Sequence, residues 1–127
     1  MPVLPLVAAA LVVAAWLVLR LVTRPDVGGA EARTLVAGGA RLVDVRTPRE
    51  YAAGHLPGAI NVPLDEIERR AGELGPRERP LVVYCESGAR SAHAQRMLKR
   101  HGFGSVRNLG SWRTWPADSG RTEGGSR

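Results

Sequence analysis

The chain has 127 residues, with 18 Lys and Arg against 12 Asp and Glu for a net charge of +6. That length suits one domain with an appendage, because a single core of ordinary size needs roughly 100 residues. The basic residues are scattered among acids, with only three Trp, two Tyr and one Phe to stack on bases, which excludes a nucleic-acid footprint; the one cysteine excludes an internal disulfide framework and a multi-cysteine zinc site.

In chain order, Val3 to Leu19 runs seventeen residues without a charge. As a helix it reaches roughly 26 Å against a hydrocarbon core of about 30 Å, and extension to Val22 with Arg20 snorkelling closes the gap. Pro5 falls in the first turn, where its missing N–H costs little, and Trp16 stands where an interfacial aromatic belongs. Residues 1–24 therefore read as a transmembrane anchor. A cleaved signal peptide is the rival, but no Lys or Arg precedes the run and the small-residue pair Val13 and Ala15 lies inside it. Arg20 and Arg24 follow the run, so the positive-inside rule makes the chain single-pass with its domain in the cytoplasm; a free thiol agrees with a reducing compartment. The few residues between Val22 and Asp26 leave about 10 Å of slack, which puts the domain almost on the bilayer.

Helix and strand signals then alternate over the domain, residues 25–117. "AEARTLVAGG" reads as a helix stopped by Gly38 and Gly39, and "RLVDV" (41–45) as a strand. After Pro48 a helical turn carries Glu50 and Tyr51, the loop "GHLPGA" leads into an extended "INVP", and "LDEIERRAGEL" (64–74) has helical spacing with a charged outer face. "PLVVYC" (80–85) is an unbroken apolar run, as a strand buried on both faces would be. "SAHAQRMLKRH" (91–101) reads as a helix ended by Gly102, and "SVRNL" (105–109) as another strand. Trp112 and Trp115 are placed to cover the core, and residues 118–127, Gly, Ser and charge, read as a disordered tail. The alternation implies an α/β domain with a mostly parallel sheet.

Cys85 stands at the carboxyl end of the most buried strand, where ligands of open α/β sheets bind. "CESGAR" then forms a tight loop into a helix N-terminus, whose unpaired amides and dipole favour negative charge. Gly88 lets the loop curl, Ala89 is small enough not to block it, Arg90 adds a fixed positive charge and Ser91 can cap the helix. A thiolate, or an anionic sulfur attached to it, is stabilised in such a cup. The blander reading is a small buried hydrophobe, a common fate of free cysteines.

Two motifs decide between these readings. "DVRTPREYAAGHLPGAINVP" (44–63) resembles the signature of the rhodanese (thiosulfate sulfurtransferase) family, and "CESGARS" (85–91) resembles that family's active-site loop; the likeness covers roughly residues 26 to 116. It implies a rhodanese-like three-layer α/β fold with a mostly parallel central sheet behind the anchor. The implied function is a sulfurtransferase that carries sulfane sulfur as a persulfide on Cys85, taken from a small sulfur donor and passed to a thiol, cyanide or protein acceptor. Cys85 matches the catalytic position, Glu86, Ser87, Gly88, Ala89 and Arg90 match the substrate cradle, and neither metal nor organic cofactor is implied. Related phosphatases use a loop one residue longer, sized for a tetrahedral oxyanion. A non-catalytic interaction module recruiting a partner to the membrane is the alternative, although such domains usually lose the cysteine.

Arg46 is expected to pair with Glu50 and fix the helix that follows. His55 is expected to anchor its loop by hydrogen bonds, and His93 and His101, set among basic residues, to be solvated or to pack. Two departures from the family pattern stand out. Glu86 puts a carboxylate beside the nucleophile, where it should repel thiosulfate by about 1 kcal/mol, roughly fivefold. Ser111 in "LGSW" replaces a second glycine, a matter of packing.

Overall fold

Every residue of the strand Leu81–Cys85 is buried, and a strand buried on both faces can only sit in the middle of a sheet with a layer on each side. A computed structural model describes residues 2–116 of the chain, so the tail expected over 118–127 lies outside the described residues. Four strands, β1 (Arg41–Asp44), β2 (Ile60–Asn61), β3 (Leu81–Cys85) and β4 (Val106–Ser111), form one sheet in the order β2-β1-β3-β4. All pairings are parallel, which is the fold class expected. Strand β4 is longer than its sequence signal and carries a bulge opposite Val83 and Tyr84, where the partner moves from Asn108 to Gly110.

Because successive side chains of a strand point to opposite faces, β3 is divided between two cores. Leu81, Val83 and Cys85 join Ala94 and Leu98 of α4 (Ala89–Arg100) in one. Val82 and Tyr84 join Ala32 of α2 (Gly29–Ala37), Leu56 and Trp115 in the other. Helix α2 approaches the chain near Thr114 most tightly at Gly29. A Cβ there would lie 1.8 Å from the Thr114 carbonyl oxygen.

Residues 64–74 do not form the expected helix. They make two 3₁₀ turns, Leu64–Glu66 and Ala71–Leu74, while Ile67, Ala71 and Leu74 still enter the first core. Burial of those side chains is what the periodicity encoded; the backbone tightens because Gly72 is a poor helix former and i→i+3 bonding suits short pieces. The charged face is as expected, with Arg70 held 3.1 Å from Glu66 and 2.8 Å from Glu73.

Helix α1 (Val3–Thr23) precedes the domain and buries none of its residues. It is long and apolar enough to cross a membrane, a test that a signal sequence also passes. Its end is tied to the domain: Arg96 donates to the Val22 carbonyl at 3.2 Å, and Asp26 accepts from the Asn108 amide and from Gln95, each at 2.7 Å.

Candidate active site

The site begins where β3 stops. Its last side chain, Cys85, points into the first core, and the chain must reverse within residues 86–88 to start α4. Gly88 makes that reversal with φ 108°, as the N-cap of α4, a left-handed conformation that a side chain would strain. The turn brings the Gly88 amide 2.9 Å from the Cys85 sulfur, and the Ser91 amide 3.4 Å from it. Both belong to the start of α4, whose dipole favours negative charge there.

Ser91 is not the helix cap expected of it. It lies inside the first turn, because the positive φ of Gly88 lets α4 begin at Ala89. Its hydroxyl accepts from the Cys85 thiol at 3.4 Å and donates to the Gly88 carbonyl at 3.1 Å. A hydroxyl rotates to suit its partners, so on loss of the thiol proton it can turn and donate to the sulfur instead. Of the cradle residues expected, Gly88 reaches the sulfur by its amide; among the described residues the other such donor is Ser91, beyond the cradle. The sulfur is also fully buried, with 0% of Cys85 exposed.

Arg90 turns from the sulfur to Glu50. Its two terminal nitrogens donate to the two carboxylate oxygens of Glu50 at 2.7 and 3.0 Å. This bidentate pair holds Glu50 down to about 2 and pushes Arg90 up. Glu50 is positioned by its own helix, α3 (Pro48–Ala52), where it closes a capping box with Thr47. The expected Arg46–Glu50 pair is therefore not formed. Arg46 is taken by Asp44, two residues earlier, at 2.7 Å, and donates to the Gly54 carbonyl at 2.7 Å. Asp44 is 0% and Arg46 2% exposed, and buried charges of this kind need each other more than either needs a half-exposed partner.

Glu86 is likewise occupied. It accepts from Arg46 at 3.4 Å and from the Trp112 indole at 3.2 Å, and it pairs with Arg113. Arg46 lies 4.7 Å from the Trp112 ring centre. Ser111 accepts from the Arg113 amide at 3.2 Å and so caps the turn that presents Trp112 and Arg113. The Glu86 carboxylate expected to repel anionic donors is thus not a bare charge beside the loop, since Arg46 and Arg113 both contact it. Sequence reasoning missed Glu50, Trp112 and Arg113 as neighbours of the loop. The capping-box pattern Thr47–Glu50 was the one available signal, and it pointed to helix geometry only.

Tyr84, beside the cysteine in sequence, faces the other core. Its hydroxyl accepts from the Leu56 amide at 3.1 Å, and burial, reinforced by the Asp44 charge, pushes its phenol up. His55 is 7% exposed, stacks on Tyr51 with ring centres 3.6 Å apart, and bonds the Tyr51 carbonyl at 2.8 Å, the anchoring role expected. His93 lines a cavity of about 640 Å³ beside the loop, together with Val45, Leu64, Met97 and Arg90. Among the described residues, no three His, Cys, Asp or Glu side chains are grouped so that they could hold a metal ion.

The family model of the rhodanese-like domain matches residues 30–118. The chain belongs to the rhodanese-like family. Its curated relatives include a sulfurtransferase of Allochromatium vinosum, 47% identical over 68 residues that make up 54% of this chain and 63% of the relative. Another is the thiosulfate:glutathione sulfurtransferase of Homo sapiens, 37% identical over 72% of this chain and 92% of the relative. The match thus spans less than two thirds of the Allochromatium relative and 92% of the human one. Among solved structures, the human single-domain sulfurtransferase TSTD1 superposes with a TM-score of 0.64 at 36% identity, covering 72% of this chain and 94% of that one. A rhodanese from E. coli with bound anions gives 0.61 at 32% identity, covering 68% and 99%.

Proposed function

We propose that this rhodanese-like protein is a membrane-anchored sulfurtransferase. The Cys85 thiolate attacks the sulfane sulfur of a donor; the bond from that sulfur to the rest of the donor breaks, its electron pair leaves with the donor, and a persulfide remains. A thiol, cyanide or protein acceptor then attacks the outer sulfur, and the electron pair returns to Cys85. Neither step requires a metal or organic cofactor. The observation that carries this reading is the pair of amides aimed at the Cys85 sulfur, at 2.9 and 3.4 Å, since inward amides at a helix start stabilise an anionic sulfur. Relatives named as sulfurtransferases support it. In this reading the loop residues Glu86, Ser87, Ala89 and Arg90 form the substrate cradle with Gly88, and the domain spans residues 25–117.

The deciding experiment is intact mass of the full chain, held in a neutral detergent, after incubation with thiosulfate, polysulfide and glutathione persulfide. The expected result is a gain of one sulfur atom on Cys85, absent in Cys85→Ser. A folded protein that gains nothing from any of the three overturns the proposal.

Residues 1–24 form the anchor in this reading, with the domain on the cytoplasmic side. It is supported by the exposed α1, whose only charge is Arg20 in its last turn, and by the bonds that tie Val22 and Asp26 to the domain. Resistance to carbonate extraction is expected, and release by carbonate would refute it. The complete burial of the thiol favours a second reading, a module that recruits a partner without chemistry. A partner whose binding survives Cys85→Ser, in a protein that takes up no sulfur, would establish that alternative.

A further inference from the structure

The cavity beside the loop is larger than sulfur chemistry with an inorganic donor demands. At about 640 Å³ it falls in the range of roughly 300–1,000 Å³ that seats small organic ligands. Its wall is apolar, with Val45 and Met97 drawn from the same core cluster that surrounds Cys85. Its charge has the wrong sign for an anion. Arg90, the cation at the loop end, is neutralised by Glu50 through two hydrogen bonds. Asp65 and Glu68 stand at the cavity as well. Asp65 makes no ion pair among the described residues, and the ion-pair contact of Glu68 is His101 at 4.0 Å. Counting Asp65, Glu68, Arg90 and its partner Glu50, with His93 beside them, carboxylates outnumber guanidinium groups at the cavity.

We infer that this cavity seats an organic thiol whose hydrocarbon body lies on Val45, Leu64 and Met97 and whose ammonium group faces Asp65 and Glu68. This thiol is the acceptor; the inference rests on the persulfide reading above. Its thiolate attacks the outer sulfur of the Cys85 persulfide, a new S–S bond forms, and the bond to Cys85 breaks. The electron pair stays on the Cys85 sulfur, where the Gly88 and Ser91 amides receive it. The acceptor leaves as a persulfide, and nothing is oxidised or reduced overall. Asp65 and Glu68 set specificity and take no part in bond making.

The test uses the full chain in neutral detergent, charged with sulfur from polysulfide and freed of excess donor. Loss of the extra sulfur is followed by intact mass with cysteamine, 2-mercaptoethanol and 3-mercaptopropionate, which are cationic, neutral and anionic thiols of similar size. Each thiol is compared with itself between wild type and D65N/E68Q, so differences in intrinsic nucleophilicity cancel. The double variant should react about fivefold more slowly with cysteamine, as exposed charge pairs allow, equally with mercaptoethanol, and faster with mercaptopropionate. D65K/E68K should reverse the preference, and added salt should shrink the wild-type preference. Rates that shift by one common factor for all three thiols, or not at all, overturn the inference alone. Failure of Cys85 to take up sulfur from any donor overturns it together with the sulfurtransferase reading.

Discussion

The two faces of the central sheet draw on the same strand and do opposite things. On one face, Cys85 ends the row Leu81, Val83, Cys85 beneath the start of α4, with backbone amides turned towards its sulfur. On the other, Tyr84 sits under α2 and Trp115, and its hydroxyl accepts from the Leu56 amide. Both residues are 0% exposed, so burial does not separate the reactive face from the structural one. What separates them is where the polar groups point. Donors around Cys85 converge on an atom that can become charged, whereas the hydroxyl of Tyr84 serves to satisfy a buried N–H.

The sharpest way to break this comparison is to replace one sulfur by oxygen. Cys85→Ser should abolish sulfur uptake completely while changing the unfolding free energy in urea by less than about 1 kcal/mol, because the volume changes little. A large loss of stability would mean that the thiol is structural after all. Next in size is Gly29→Ala, which drives a methyl group into the Thr114 carbonyl on the structural face. A cost of about 2–3 kcal/mol is expected in denaturant unfolding, with sulfur uptake per folded molecule unchanged. Tyr84→Phe comes third. It leaves the buried Leu56 amide without its acceptor and should cost about 1–2 kcal/mol, again without touching uptake.

The smallest effect sharpens the comparison on the reactive face. Glu50 has a folded value of about 2 against an ordinary 4.5, lowered chiefly by the Arg90 hydrogen bonds. A depressed carboxylate contributes stability that is present above its ordinary value and lost as pH falls through the folded value. Wild type should therefore lose the contribution of this pair between about pH 4.5 and 2, and Glu50→Gln should lack that component of the acid transition. At neutral pH the variant should be about 1 kcal/mol less stable, a modest figure because the pair is partly exposed to water.

Much of the reactive face was legible in the residues. An unbroken apolar run marked β3, its carboxyl end located Cys85, and the Gly and Arg after it marked a loop closing onto a helix. These are local properties: strand burial, turn chemistry and helix starts depend on neighbours a few positions apart. The run 64–74 shows the boundary of that kind of inference, since its periodicity named the buried side chains Ile67, Ala71 and Leu74 but not the backbone that carries them.

Pairing among charges was not legible in this way. Arg46 had Glu50 four residues on and Asp44 two residues before, and the choice depended on both Asp44 and Arg46 being buried. Glu50 instead met Arg90, forty residues later, and Glu86 met a hydrogen bond from Trp112 and the charge of Arg113, both from beyond β4. The amino-acid order alone determined the α/β class, the position of the cysteine and the apolar N-terminal helix, because burial and turn geometry are written in short-range pattern. Only the tertiary structure decided which carboxylate each guanidinium holds, because Coulomb partners are chosen by distance and dielectric in space and not by separation along the chain.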